Sequence, residues 1–383
     1  MDKPTVQDIF HRFYPAYLDQ YSPSPVQAKV AHNIMNCKTG AYGANVCVCE
    51  DCGFVQIHYN SCRNRCCPMC QAVPKEMWMD ARREDVLDAP YFHLVFTVPD
   101  ILNPVIYSNQ RLLYDALYHA ASSTISELTA DPKRLGAKVG YICILHTWGS
   151  EMNFHPHIHT ILLGGGLASN NQWKDNGENF FLPIRVISKM FRGKYLEELK
   201  RLWEEDKLVF HGTAEKFRNH YTFKELLDSC YGMDWIPHCK KTFNGAQTVI
   251  KYLGKYTHRI AVSNHRIVRM DDDTVTFLVK DYRNEGQWKE LTISGVEFVR
   301  RFLMHVPPRR FVRIRHYGLL CFRTKNQKLT LCRNLLGCKK YLSKLRDMEM
   351  PEILEHLYGI KVCVCKACGG HLGKPQMRMP LRC

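Results

Sequence analysis

Long apolar runs are missing from this chain. No stretch reaches the roughly 18 apolar residues that a membrane-crossing helix requires. The opening residues, MDKPTVQDIF, have no apolar segment behind their basic residue, as a secretory leader would. The expected compartment is therefore the cytoplasm, in a bacterium the nucleoid-associated cytoplasm, with no membrane partner. A glycine-rich phosphate loop of the GxxxxGK(S/T) type is also missing, so no nucleotide cofactor is expected. There is no internal repeat and no low-complexity linker. Acid is scarce relative to base: 53 lysines and arginines stand against 37 aspartates and glutamates in 383 residues, a formal net charge of +16. An excess of this size favours a polyanionic partner, and nucleic acid is the usual one.

Cysteine, by contrast, is abundant. Eight of the 18 cysteines lie between Cys37 and Cys70, and four between Cys363 and Cys383. In a reducing compartment such clustering points to metal rather than to disulfides. Cys49-x2-Cys52 is followed, after 14 intervening residues, by Cys67-x2-Cys70. Two such turns can present four thiolates to one structural Zn2+, and the spacing lies at the edge of the usual range of about 15 to 20. Cys37, Cys47, Cys62 and Cys66 are left over, to form a second site or to replace a member of the first. Near the C-terminus Cys363, Cys365, Cys368 and Cys383 form another group, with Cys338 and His371 as further candidates. Only Cys365-x2-Cys368 makes a knuckle there, which supplies two of four ligands.

Periodicity gives the expected elements. Residues 5–36 and about 74–87 read as helical, 91–98 as a strand ended by Pro99, and 109–129 as a long amphipathic helix. Two strands, 140–148 and 157–163, form an expected β-hairpin, the second stopping at Gly164-Gly165-Gly166. Helices are expected at 191–204, 245–256 and 295–304, and short strands at 265–270, 274–279 and 288–293. The stretch 205–233 is polar and carries no clear period, and the chain is strongly basic from Pro307.

Two constellations carry chemistry. In His155-Pro156-His157-Ile158-His159, residues two apart on a strand share a face, so His157 and His159 can aim two imidazoles at one ion while Ile158 faces the core. His146, on the partner strand, and His155 are both candidate third ligands. In Tyr252-Leu253-Gly254-Lys255-Tyr256, four residues make one helical turn, so both phenols share a side with Lys251 and Lys255 near them. Nearby cations favour the phenolate form, which is the nucleophile. The arginines Arg309, Arg310, Arg313 and Arg315 form a candidate track for a nucleic-acid backbone.

The runs FHLVFTVP, LHTWG, HPHIHTILLGGG, YLGKYTHRIAVSNHR and FVRRFLMHVPPRRFVRIRHYGLL, in that order, resemble the rolling-circle transposases of the insertion sequence 91 family. That family belongs to the superfamily named for its histidine-hydrophobic-histidine motif. The segment CEDCG…YNSCRNRCCPMCQ is similar to its N-terminal zinc-binding domain, and the resemblance spans about residues 10–336. It implies an α+β fold: an antiparallel-sheet endonuclease core with flanking helices, plus a cysteine-rich zinc-binding domain. The expected division is 1–90 for the helical and zinc-binding part, 91–305 for the catalytic domain and 306–383 for a basic C-terminal region. The resemblance further implies that His157 and His159 bind a catalytic divalent metal, Mg2+ or Mn2+, and that Tyr252 and Tyr256 are the nucleophiles. Attack would leave a 5′-phosphotyrosine link on single-stranded or locally melted DNA at element ends and target. Where the family usually reads histidine-cysteine-proline this chain has Cys66-Cys67-Pro68, which leaves the zinc ligand set open. Two other readings stand beside this one: a related replication initiator or relaxase, and a zinc-dependent DNA-binding protein without catalysis.

Overall fold

A computed structural model describes residues 3–177, 182–235, 237–242, 249–250, 254, 260–281, 285–374 and 376–378. The chain is α+β, and among the described residues three antiparallel sheets organise it. The largest is made from β3 (Tyr91–Thr97), β4 (Lys138–Trp148), β5 (Phe154–Leu167), β7 (His238–Thr242) and β11 (Ile314–Gly318), in the order β11-β4-β5-β3-β7, with the short β6 (Trp173–Asp175) on the end of β5. A meander of β8 (Ile267–Met270), β9 (Thr274–Asp281) and β10 (Gln287–Ser294) forms the second. The third joins β1 (Ala44–Val48) and β2 (Val55–Tyr59) to β12 (Gln376–Arg378), near the other end of the chain.

The central strands are apolar on both faces, as strands buried on both sides must be. One face, carrying Phe92, Leu94, Phe96, Tyr141, Cys143, Leu145, Ile158 and Leu162, packs on three helices: α5 (Gln110–Ala130), α6 (Ile184–Glu204) and α7 (His220–Gly232). The opposite face presents Tyr91, Ile142, Ile144, Ile161 and Leu163 to Met79 of α3 (Ala72–Arg83), to Val249 and Ile250, and to Leu329 and Cys332 of the helix Lys325–Leu336.

The N-terminal helices have sequence-coded starts. Thr5 and Asp8 form a capping box for α1 (Val6–Gln20), and Ser24 and Gln27 form another for α2 (Pro25–Met35), which opens on Pro25. Their apolar faces do not stay with the cysteine-rich segment alone. Phe10, Phe13, Val30 and Ile34 share a core with Val275 and Phe277 of the meander and with Phe298, Val299 and Phe302 of the helix Gly295–Met304.

Several expectations are corrected. The β5 strand does not stop at the glycines but runs on to Leu167. A Cβ on Gly165 would lie 2.4 Å from the Trp173 ring, and one on Gly166 would lie 2.4 Å from the Lys138 carbonyl oxygen. These glycines are there so that neighbouring strands can approach, not to end the strand. The unassigned stretch 205–233 holds a 3-10 turn and α7, whose Phe223, Leu226, Leu227 and Cys230 recur at helical spacing and are buried. The basic stretch after Pro307 contributes β11, which pairs with β4 inside the central sheet, Arg315 lying opposite Cys143.

Candidate metal centre

The β4–β5 hairpin builds the centre. Its register sets His146 opposite His157 and Ile144 opposite His159. Because alternate residues share a face, His157, His159 and His146 point the same way, onto the side where Val249 and Ile250 pack. A bulge between His146 and Trp148 interrupts the ladder next to the site. The ligand nitrogens of the three histidines lie within 4.8 Å of one another, and all three side chains are buried. The Nε2 atoms of His157 and His159 are 3.1 Å apart. Of the two candidate third ligands, the geometry gathers His146; the His155 ring turns instead to Asp100, 3.2 Å away.

The surroundings fix the rings. His157 Nδ1 donates to the His155 carbonyl oxygen at 2.6 Å, which leaves its Nε2 lone pair free for an ion. His159 Nδ1 lies 2.9 Å from Nε2 of His93, on β3; a proton on His159 Nδ1 donated to His93 puts that ring's lone pair on Nε2, the atom facing His157. His146 is stacked at 4.4 Å on Trp148, whose ring also lies under the Arg313 guanidinium. Burial, with His155 next, pushes His157 down to about 3. Burial and the rings of His146, His157 and His93 hold His159 well below the ordinary imidazole range. All this favours neutral imidazole, the form that coordinates metal. Three nitrogen donors on one side of an ion leave open positions for substrate oxygens. Of the two expected ions the donor set suits Mn2+ better than Mg2+, which prefers oxygen. His93 was not singled out in the sequence. Its signal was present: it is the one imidazole in a strand otherwise made of aromatic and β-branched or aliphatic residues, YFHLVFT.

Tyr252, Tyr256, Lys251 and Lys255 lie outside the described residues. Their described neighbours are informative. Val249 and Ile250 are helical and buried against the histidine-bearing face. Gly254 is helical too, and a Cβ there would come within 1.9 Å of Met79 Sδ, so Gly254 and α3 are in close contact.

The cysteines are partitioned differently from the expected set. Cys49, Cys52, Cys67 and Cys70 do not meet. Cys67 and Cys70 join Cys37 and Cys62, whereas Cys49 and Cys52 join Cys365 and Cys368, each quartet with its sulfurs within 4.8 Å of one another. The reason is the β1–β2 hairpin. Cys49 and Cys52 sit at its turn, while Cys37 and Cys62 flank its base. Five residues of strand span roughly 17 Å, too far for one ion to bridge. A sequence signal for the true pairing existed: Cys49-x2-Cys52-Gly53 and Cys365-x2-Cys368-Gly369 are both C-x2-C-G, with glycines at φ +71° and +79°, whereas Cys70 is followed by Gln71. Cys66 belongs to neither quartet. It is buried in the core of α1 and the meander, and burial pushes its thiol up. Cys363 is exposed outside the quartets, Cys47 is buried beside Cys49, and Cys383 lies outside the described residues.

The arginine track is corrected in part. Arg309 and Arg310 are exposed. Arg313 is buried, its guanidinium 5.3 Å from the Trp148 ring centre. Arg315 faces α5, since it opposes Cys143 in the sheet; it stacks 4.0 Å over Tyr118 and pairs with Asp115. Alternation along a sheet strand, invisible in a run of basic residues, turns these two inward.

Among the described residues, no helix is long and apolar enough to cross a membrane. Residues 140–328 match the family described as "Putative transposase", and residues 9–98 match "Transposase zinc-binding domain". Over 369 residues the chain is 40% identical to "Putative transposase y4qJ" of Sinorhizobium fredii, covering 95% of this chain and 93% of that one. It is 30% identical over 309 residues to the transposase for insertion sequence element IS801 of Pseudomonas savastanoi pv. phaseolicola, covering 79% of this chain and 72% of that one. A solved structure of the conjugative relaxase TrwC in complex with oriT DNA, metal-free, is similar at 15% identity over 45% of this chain and 67% of that one. Its TM-score is 0.23. The first cysteine quartet lies wholly within the zinc-binding match, and Cys365 and Cys368 lie outside both matches.

Proposed function

This chain belongs to the transposases of the insertion sequence 91 family, with their N-terminal zinc-binding domain, and on that premise we propose that it cuts one DNA strand through a tyrosine nucleophile beside the histidine centre. The observation that carries the reading is the convergence of three buried imidazoles on the sheet face that also receives Val249 and Ile250, just ahead of Tyr252 and Tyr256 in the chain. His146, His157 and His159 would hold the divalent ion, Mg2+ or Mn2+. When bound there, that ion supplies positive charge that offsets the charge on the scissile phosphate's oxygens.

The phenol oxygen of Tyr252 or Tyr256 attacks phosphorus. A new phosphorus–oxygen bond to tyrosine forms as the bond to the 3′-oxygen breaks. The phenol proton is lost, with Lys251 and Lys255 favouring the phenolate, and the departing 3′-oxygen takes up a proton to become a free hydroxyl. The 5′-phosphotyrosine link keeps the phosphodiester's energy, so rejoining needs no ATP. Two tyrosines permit two successive transfers, one holding an end while the other cuts. The substrate is single-stranded or locally melted DNA at element ends and target, because the phenol must reach the backbone directly.

The test uses labelled single-stranded DNA from the element's ends, with Mg2+ or Mn2+. The expected product is a denaturant-resistant protein–DNA adduct that disappears in Tyr252→Phe/Tyr256→Phe and in His157→Ala. A folded protein that binds the same DNA and forms no adduct would overturn the reading and leave a DNA-binding role without chemistry.

A further inference from the structure

We propose that Cys49, Cys52, Cys365 and Cys368 hold a second structural Zn2+, which clasps the C-terminal segment onto the N-terminal cysteine-rich hairpin. The two knuckles are built alike. The Gly53 amide donates to the Cys49 carbonyl at 3.1 Å, and the Gly369 amide donates to the Cys365 carbonyl at 3.0 Å. In the C-terminal knuckle the amides of Ala367 and Gly370 point at the sulfurs of Cys365 and Cys368, each at 3.4 Å. Donation of this kind stabilises the thiolate form that zinc requires.

The sulfur spacing argues for a metal. Cys49 Sγ lies 3.5 Å from Cys368 Sγ, and Cys52 Sγ lies 3.8 Å from Cys365 Sγ. A disulfide needs about 2.05 Å. Four sulfurs about 2.3 Å from a tetrahedral zinc stand roughly 3.8 Å apart along each edge. In the first quartet Cys62 and Cys70 have the same spacing, 3.8 Å.

The backbone is already arranged for the clasp. The Glu50 amide donates to the His371 carbonyl at 3.1 Å, the Gly373 amide donates to the Val48 carbonyl at 2.9 Å, and β12 extends the sheet along β1. Cys47 and Leu372 fill the small core behind the sulfurs. With only four buried residues, that core is too small to hold a chain end by apolar burial alone.

The clasp also fixes what precedes it. Residues 341–346 lie across α3: Tyr341 and Ser343 donate to the buried Asp80 carboxylate at 2.7 and 2.6 Å, the Leu345 amide adds a third bond at 3.0 Å, and Arg346 pairs with Glu84. Within the stretch 338–374, residues 341–346 therefore form a strap across α3, the helix whose Met79 meets Gly254, and the zinc anchors the far end of that stretch.

The test is the zinc content of the full-length protein, measured by mass spectrometry of the metal and of the intact folded chain. A His157→Ala/His159→Ala background keeps the imidazole centre from contributing. Two zinc ions per chain are expected, falling to one in Cys365→Ser/Cys368→Ser and to one in Cys49→Ser/Cys52→Ser. The exposed Cys363→Ser should keep two. One zinc in the parent, or two retained after either pair is replaced, overturns the proposal. Should those variants fail to fold, cobalt substitution of the parent decides: absorption of two tetrahedral all-thiolate ions per chain supports the clasp, and absorption of one overturns it.

Discussion

The histidine centre and the cysteine quartets gather their ligands in opposite ways. His146, His157 and His159 lie within one hairpin, and the hydrogen-bonded register of β4 on β5 brings them together before any ion arrives. The thiols of the second quartet come from positions more than 300 residues apart in the chain, with little apolar surface around them. A sheet whose faces are packed on helices positions the imidazoles by burial. The thiols hang on turns whose geometry depends on what the sulfurs hold. On the proposed function, the histidine centre is a reactive site on a rigid support, and the quartets are supports themselves.

This contrast makes its largest prediction at the two kinds of ligand. His157→Ala or His159→Ala should lower adduct formation by about a hundredfold to a thousandfold, in the range of losing a principal charge-stabilising element. The melting temperature should stay close to that of the parent, because neighbouring residues hold the sheet. Cys67→Ser/Cys70→Ser should do the reverse and act on folding first, with several kcal/mol lost and the melting temperature falling by on the order of 10 °C or more. Calorimetry beside the adduct assay separates the two. A histidine variant that unfolds, or a cysteine variant that melts like the parent, would erase the distinction.

A smaller effect is expected one layer out. His93 is not one of the proposed ligands but lies 2.9 Å from His159 Nδ1. Replacing it with phenylalanine keeps the volume and removes the hydrogen bond, and metal affinity should fall about tenfold to a hundredfold. Glutamine, which can still accept a hydrogen bond, should recover part of the loss. The measurement is Mn2+ titration by calorimetry, with the melting temperature as control. Equal affinity in the phenylalanine variant would mean that β5 alone orients His159.

What the sequence disclosed follows the same division. The alternation His157-Ile158-His159 was legible because a strand has one period and the apolar residue between the imidazoles declares which side is core. The partners of the cysteines were not legible from spacing, since C-x2-C turns are alike and sequence distance says nothing about which turns meet. Only the trailing glycine distinguished the two that do. His93 escaped because its partner lies 66 residues away on a neighbouring strand. The glycines of β5 read as a stop because glycine serves both for turns and for close approach, and Trp173 and Lys138, which decide between them, are distant in the pattern.

The smallest prediction concerns the basic run, where residues of one type within seven positions have different fates. Arg309 and Arg310 face solvent, while Arg315 is stacked on Tyr118 and paired with Asp115. Arg309→Ala/Arg310→Ala should leave the melting temperature unchanged. The slope of log affinity against log salt for single-stranded DNA should shrink by about 1.4, the contribution of two phosphate contacts at about 0.7 each. Arg315→Ala should leave that slope alone and lower the melting temperature by a few degrees, since losing a half-buried stack and ion pair costs about 1–2 kcal/mol. If Arg315→Ala changed the salt slope instead, its guanidinium would have to leave Tyr118 when DNA binds, and β11 would belong to the DNA-binding surface rather than to the scaffold behind it.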